Sequence, residues 1–163
     1  MTDIAFYHLE RASLETALPK LLEKTLEAGK RALVMAGSEA RVEALNNALW
    51  TYDQDSWLPH GSAKDGAPDD QPVWLATSDE APNGADFLFL TDGATSGRLA
   101  EFERCFEIFD GNDPAMVSTA REHWAAYKEA GHDLAYWQQT DRGGWEKKAE
   151  QSASDDGSPQ EPT

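Results

Sequence analysis

Four short apolar runs punctuate the chain: ALVM (32–35), VWLAT (73–77), FLFL (87–90) and FEIFD (106–110). Each is too short for a buried helix and nearly continuous in its apolar residues, where a half-exposed strand would alternate. Strands of that kind are covered on both faces, which is the condition of a parallel sheet between helices. IAFYHL (4–9) supplies a further β run at the start. Between the runs lie segments of helical length. Leu14, Leu18, Leu21, Leu22 and Thr25 form a one-sided stripe, with Thr16 expected as N-cap, Pro19 in the first turn and Gly29 as a left-handed C-cap. Ser38 is expected to cap a second helix with Val42, Leu45 and Leu49 inward. Leu99, Phe102 and Phe106 suggest a short helix running into the FEIFD strand. Asp113 and Pro114 then open a long helix with Met116, Val117, Ala120, Trp124 and Tyr127 inward, closed by Gly131. DLAYW (133–137) is expected as a last strand at an edge. Strands alternating with such helices predict an α/β fold, a three-layer sandwich around a mostly parallel central sheet.

At 163 residues this is one domain with a tail. The domain is expected over 1–145. Residues 146–163, EKKAEQSASDDGSPQEPT, hold no aliphatic core former and are expected to be an acidic disordered tail. A formal net charge of -16 argues against direct binding to nucleic acid, since a field of that sign repels a polyanion. No apolar run approaches the roughly 20 residues of a membrane span, and the N-terminus lacks a basic region before a long apolar one. One cysteine, Cys105, suits a reducing compartment. These features predict a cytoplasmic location and no membrane partner.

Catalytic and cofactor motifs are sparse. The turn after the first strand, His8-Leu9-Glu10-Arg11, has no glycine to cradle a phosphate, so a Rossmann-like topology without a nucleotide site is expected. AGSEAR (36–41) sets Gly37 between a strand and a helix N-terminus, where an anion could sit, and this keeps a nucleotide-binding α/β enzyme as the alternative. His8, His60, His123 and His132 show no metal spacing, and Asp110, Asn112 and Asp113 read as a turn with a helix cap rather than a cation loop. No catalytic residue, metal or cofactor is expected. An acidic DNA mimic would need carboxylates in phosphate-like rows, whereas much of the acid here lies in loops and tail.

What remains is a set of aromatics beside rare cations. In DPAMVSTAREHWAAYKEAG, Arg121, Trp124 and Lys128 fall at i, i+3 and i+7, with Tyr127 next to them. This face reads either as a pocket for an acidic peptide with apolar side chains or as Trp124 in the core beneath solvated charges. Two more tryptophans, Trp50 and Trp57, bracket a polar run that ends in Pro59, His60 and Gly61.

Together FYHL, ETALPKLLEKTLEAGKRALV, EALNNALWTYDQDSWLPHG and FDGNDPAMVSTAREHWAAYKEAGHDLAYW resemble the chi subunit family of bacterial DNA polymerase III, from residue 4 to about 137. The resemblance implies a non-catalytic adaptor of the clamp-loader assembly that binds the acidic C-terminal tail of single-stranded-DNA-binding protein. It also implies a second partner, the psi subunit or another clamp-loader or helicase protein. The family's tail-binding arginine corresponds to Arg121, the aromatic one turn on to Trp124, and a tryptophan near the same pocket to Trp50. The family's basic residue directly after the aromatic is Ala125 here, and Lys128 would supply that charge from the next turn. Trp57, Pro59 and His60 correspond to the segment that contacts the second partner. Trp50 would then border one site, unless it caps the sheet's apolar edge, and Trp57 would anchor the other. The tail's acidity would let it compete for the basic face within the molecule.

Overall fold

The computed structural model describes residues 3–10, 14–51, 61–62, 72–77, 84–142 and 144–151. In chain order the elements are β1 (Asp3–Leu9), α1 (Leu14–Glu27), β2 (Ala32–Met35), α2 (Glu39–Thr51), β3 (Gly61–Ser62), β4 (Val73–Ala76) and β5 (Phe87–Leu90). A single 3-10 turn (Leu99–Glu101), β6 (Arg104–Asp110), α3 (Pro114–Glu129), β7 (Asp133–Gln139) and β8 (Trp145–Gln151) follow. The strands form one sheet in the order β3-β4-β2-β5-β6-β1-β7-β8. All neighbours are parallel except β7 and β8. The expected α/β sandwich with a mostly parallel sheet is therefore the fold.

The four apolar runs are strands because both of their faces are buried. Ala32, Val34, Val73, Leu75, Phe87, Phe89, Phe106 and Ile108 pack in one core with Leu18, Leu22, Val42, Leu45 and Leu49 of α1 and α2. The alternate residues Leu33, Met35, Leu88, Leu90, Cys105 and Phe109 face a second core with Ala120, Trp124 and Tyr127 of α3. The period of two along each strand thus divides every run between two helix layers.

Several boundaries differ from those read in the sequence. α1 begins at Leu14, so Thr16 lies inside it and Pro19 falls beyond its first turn, buried. Gly29 does close α1, with φ of 76° and its N–H bonded to the Leu26 carbonyl. Ser38 Oγ accepts from the Arg41 N–H at 3.2 Å, as a cap of α2 should. The short helix around Leu99 is one turn only, and Phe106 belongs to β6. β7 is not an edge strand, because the chain returns after it as β8. The domain boundary expected at residue 145 therefore falls inside the sheet: residues 146–151 pair with β7 and bury Ala149 in the second core. Residues 152–163 lie outside the described residues.

Candidate protein-binding site

Two places among the described residues bear on the ligands expected from the sequence. The first is the crevice at the carboxyl ends of β1 and β6, from which the connections leave to opposite faces of the sheet, α1 to one and α3 to the other. Open α/β sheets place their ligands at such a switch point. A cavity of about 540 Å³ does open here, lined by Glu10, Glu15, Asp92, Asp110, Asp113 and Arg41 among others. Its one cation among the described residues is committed: Arg41 reaches Glu15 at 3.0 Å and Asp92 at 3.2 Å. Asp92, held at φ of 56°, also accepts the Gly37 N–H at 3.1 Å. The chain's own carboxylate thus sits where a phosphate would sit at the start of α2, and a Cβ on Gly37 would come within 3.1 Å of the Asp92 Cβ.

The other acids in the crevice are local fasteners. Asp110 Oδ1 accepts from the Asn112 N–H at 2.9 Å, Asp113 caps α3 through the Ala115 N–H at 3.0 Å, and Asn112 Nδ2 donates to the Glu10 carbonyl at 2.9 Å. The turn and helix cap read from these residues are as observed. Among the described residues no cluster of three His, Cys, Asp or Glu is arranged to hold a metal ion.

The second place is the outer face of α3. Arg121 is exposed and Lys128 half-buried, two turns or roughly 10 Å apart along the axis and on one row. Val117, half-buried, precedes Arg121 by one turn on the same row, and the exposed Ala125 lies between the cations. Among the described residues several cations of this acidic chain are held in ion pairs: Lys30 with Glu103, Arg41 with Glu15 and Asp92, Arg98 with Glu101, Lys147 with Glu150, Lys148 with Glu146. Among the described residues Arg121 and Lys128 form none. The row therefore presents uncommitted positive charge with a small apolar surface beside it.

Trp124 and Tyr127, which the helical stripe predicts inward and the pocket reading would set on this face, are inside. Trp124 is 2% exposed, with its ring edge-on to Phe6 at 5.4 Å and to Tyr136 at 6.1 Å. Tyr127 is buried and donates its hydroxyl to Glu107 at 3.4 Å. The physical reason lies in the helix period. A residue at i+3 from Arg121 is turned about 60° from its row, and on α3 that rotation carries Trp124 onto the buried stripe with Ala120 and Tyr127. Trp124 is therefore no apolar wall on the surface; it fixes the helix that carries the cations. Its indole N–H finds no acceptor among the described residues.

A polar layer underlies α3. Glu107 on β6 is 3% exposed, and His123 Nδ1 lies 2.8 Å from both of its carboxylate oxygens. Burial pushes the Glu107 carboxyl up, with the His123 contact opposing; the same hydrogen bond pushes His123 up against its own partial burial. The pair thus holds a proton more firmly than either group would in water. Nearer the crevice, His8 Nδ1 and the Tyr136 hydroxyl are 2.6 Å apart, with His8 Nε2 3.4 Å from Glu10. Burial lowers His8 and raises Tyr136 to about 12, while the positive charge of Arg121 acts downward on both. Arg121 is therefore coupled to the ends of β1 and β7 as well as to solvent. Gly111 allows this packing: a Cβ there would stand 1.9 Å from the His8 ring.

Of the remaining expected site residues, Trp50 lies in the last turn of α2 with its side chain outside the described residues. Trp57, Pro59 and His60 lie wholly outside them. The crevice carboxylates Asp92 and Glu15 were not singled out in the sequence, since a contact across 55 residues between Gly37 and Asp92 leaves no local signature.

The family model described as DNA polymerase III chi subunit, HolC, matches residues 1–135. The chain belongs to that family. Its curated relatives include DNA polymerase III subunit chi of Pseudomonas aeruginosa, 27% identical over 137 residues, covering 82% of this chain and 94% of the relative. The subunit of the same name from Escherichia coli is 25% identical over 144 residues, covering 82% and 96%. The probable subunit chi of Rickettsia prowazekii is 25% identical over 109 residues, 67% of this chain and 66% of that protein. Membership ties the chain to DNA replication as a subunit of a polymerase complex, so protein partners are expected of it. The family match ends within β7, and β8 lies beyond it. No helix among the described residues is long and apolar enough to cross a membrane.

Proposed function

We propose that the protein is a non-catalytic cytoplasmic adaptor of the DNA polymerase III clamp-loader assembly, and that the outer row of α3 receives the acidic C-terminal tail of single-stranded-DNA-binding protein. The observation that supports this most is the pair Arg121 and Lys128. They stand uncommitted on one helix row of a chain with net charge -16, in a family of replicase subunits. Arg121 meets a carboxylate with two parallel N–H bonds, a geometry lysine does not reproduce. Lys128 attracts upstream acids, and Val117 with the Ala125 methyl offers the apolar contact. The sheet and the rings of Trp124, Tyr127 and Tyr136 hold the row rigid. Trp57, Pro59 and His60 are proposed as the surface for psi or another clamp-loader or helicase partner, with Trp50 at the border of the first site. A nucleotide-dependent reaction is disfavoured because Asp92 fills the helix N-terminus that a phosphate would need.

The test is fluorescence anisotropy with a labelled peptide of that acidic tail, beside a melting curve for each variant. A hydrogen bond to a charged group contributes about 1.5–3 kcal/mol, so Arg121→Ala should weaken binding roughly 10- to 150-fold with the fold intact. Arg121→Lys should recover only part of the loss. Equal affinity for wild type and a folded Arg121→Ala would remove the site from α3.

A further inference from the structure

The other face of the sheet carries a second pair of cations without ion-pair partners among the described residues, Lys20 and Lys24 of α1. Both are exposed, and four residues apart they project side by side. They border a groove of about 280 Å³ between α1 and the β7–β8 hairpin, whose other walls are Thr16, Leu21, Gln139, Gly144 and Trp145. Among the described residues these two lysines are the groove's only charged lining. Trp145 is half-buried, its ring edge-on to Tyr7 at 4.8 Å. The far wall, Gln139 to Trp145, lies past residue 135, where the family match stops. An opening that pairs two ammonium groups with an indole edge fits an extended segment bearing carboxylates.

The chain itself provides such a segment within reach. β8 runs antiparallel to β7, so it travels away from the groove's mouth at Trp145 and ends at Gln151, opposite Leu134. The next twelve residues, SASDDGSPQEPT, carry Asp155, Asp156 and Glu161 and no basic residue. Trp145 to Gln151 covers roughly 20 Å of strand, and four or five extended residues beyond Gln151 reach about 13–18 Å. A segment that turns back beside β8 spends part of that length in the turn and carries Asp155 and Asp156 back along the α1 face toward Lys24, the nearer lysine, and Lys20. We infer that residues 152–163 dock into the α1–β8 groove of their own chain, with Asp155 and Asp156 on Lys20 and Lys24. A short tether holds its end at an effective concentration on the order of millimolar, so even a contact with Kd near 1 mM is about half occupied. Docked there, the acids are kept on the sheet face opposite α3 and do not compete for Arg121.

Carbodiimide coupling joins a lysine to a carboxylate only in direct contact, and peptide mapping identifies the pair. The full-length protein, mixed with an isotope-labelled copy, should yield unmixed cross-links from Lys20 or Lys24 to Asp155 or Asp156. In parallel, acylation of Lys20 and Lys24 should quicken about twofold in Asp155→Asn/Asp156→Asn, with Lys128 as internal reference. At 1 M salt, where the screening length is about 3 Å, that difference should vanish. Cross-links that mix the two isotopes would make a second copy the occupant, cross-links to Lys128 would put the segment on α3, and unchanged acylation rates would leave the groove without it. Each of these results overturns the proposal.

Discussion

On the α3 face, Phe6, Trp124, Tyr127 and Tyr136 are all buried and packed ring against ring, and the cations stand outside on one exposed helix row. On the α1 face the same β1 and β7 strands, with β8 beside them, present Tyr7, Trp137 and Trp145 only half-covered, with Lys147 lying 5.2 Å over the Trp137 ring. The two faces use the same residue types in opposite order. Where a helix lies directly over the strands, aromatics become core, and the row proposed for binding keeps charge and small apolar groups outside. Where the helix layer stops short of β7 and β8, aromatic surface and cations share one groove. The proposed α3 face thus displays none of its aromatics, and a tryptophan beside a cation in sequence says nothing about which of them is exposed.

The strongest way to break this contrast is to truncate one ring on each face. Trp124→Ala empties a sealed site and should cost about 3–5 kcal/mol, roughly 10 °C or more in Tm for a domain of this size. Trp145→Ala removes a half-covered ring and should lower Tm by only a few degrees. Equal losses would mean that the two faces are equally closed. A smaller effect is expected at the crevice. Gly111→Ala drives a methyl into the His8 ring and should cost about 1–3 kcal/mol, and Gly111→Ala in a His8→Ala background should cost clearly less. If the double variant recovers nothing, the Leu9 carbonyl oxygen, 2.7 Å from that Cβ, demands the glycine and the His8 ring does not.

The smallest effect sharpens the picture of the polar layer under α3. His123 is raised above its ordinary 6.5, so the folded state binds its proton more tightly than the unfolded one. That contribution is complete below pH 6.5 and is lost as pH climbs through the folded-state value. Raised Glu107 acts with the same sign, present below its ordinary 4.5 and lost as pH rises. His8 and His132 are lowered by burial and act oppositely, giving stability that disappears as pH falls below 6.5. The difference in Tm between wild type and His123→Gln isolates the first group. It should be larger at pH 6 than at pH 8.5, and a difference that grows with pH would contradict the proton held between Glu107 and His123.

Much of the fold could be read directly because its information is local. ALVM, VWLAT and FLFL are strands by continuous apolarity, and Gly29, Ser38, Asp113 and Gly131 end their helices by chemistry visible in two or three residues. β8 escaped because WEKKAEQ is an edge strand with one buried methyl, Ala149, and it exists through pairing with β7 rather than through its own composition. Trp124 could not be assigned from spacing, since i and i+3 are neighbours on the helix surface yet 60° apart about its axis. The committed role of Asp92 was equally hidden. Its left-handed backbone and its bonds to Gly37 and Arg41 arise only when β2 and β5 lie side by side.

The central claim is that α3 recognises an acidic peptide through an exposed charged row over a sealed aromatic core. It is tested most directly by following backbone and side-chain nitrogen resonances while that peptide is titrated into the full-length protein. The side-chain Nε–H of Arg121 and the amides of Val117, Ala125 and Lys128 should shift together and saturate. The Trp124 indole should keep its solvent protection, and Lys20, Lys24 and Trp145 should not move with them. A Trp124 indole that becomes exposed as the peptide binds, or saturable shifts at Lys20, Lys24 and Trp145 with Arg121 unmoved, would contradict the account.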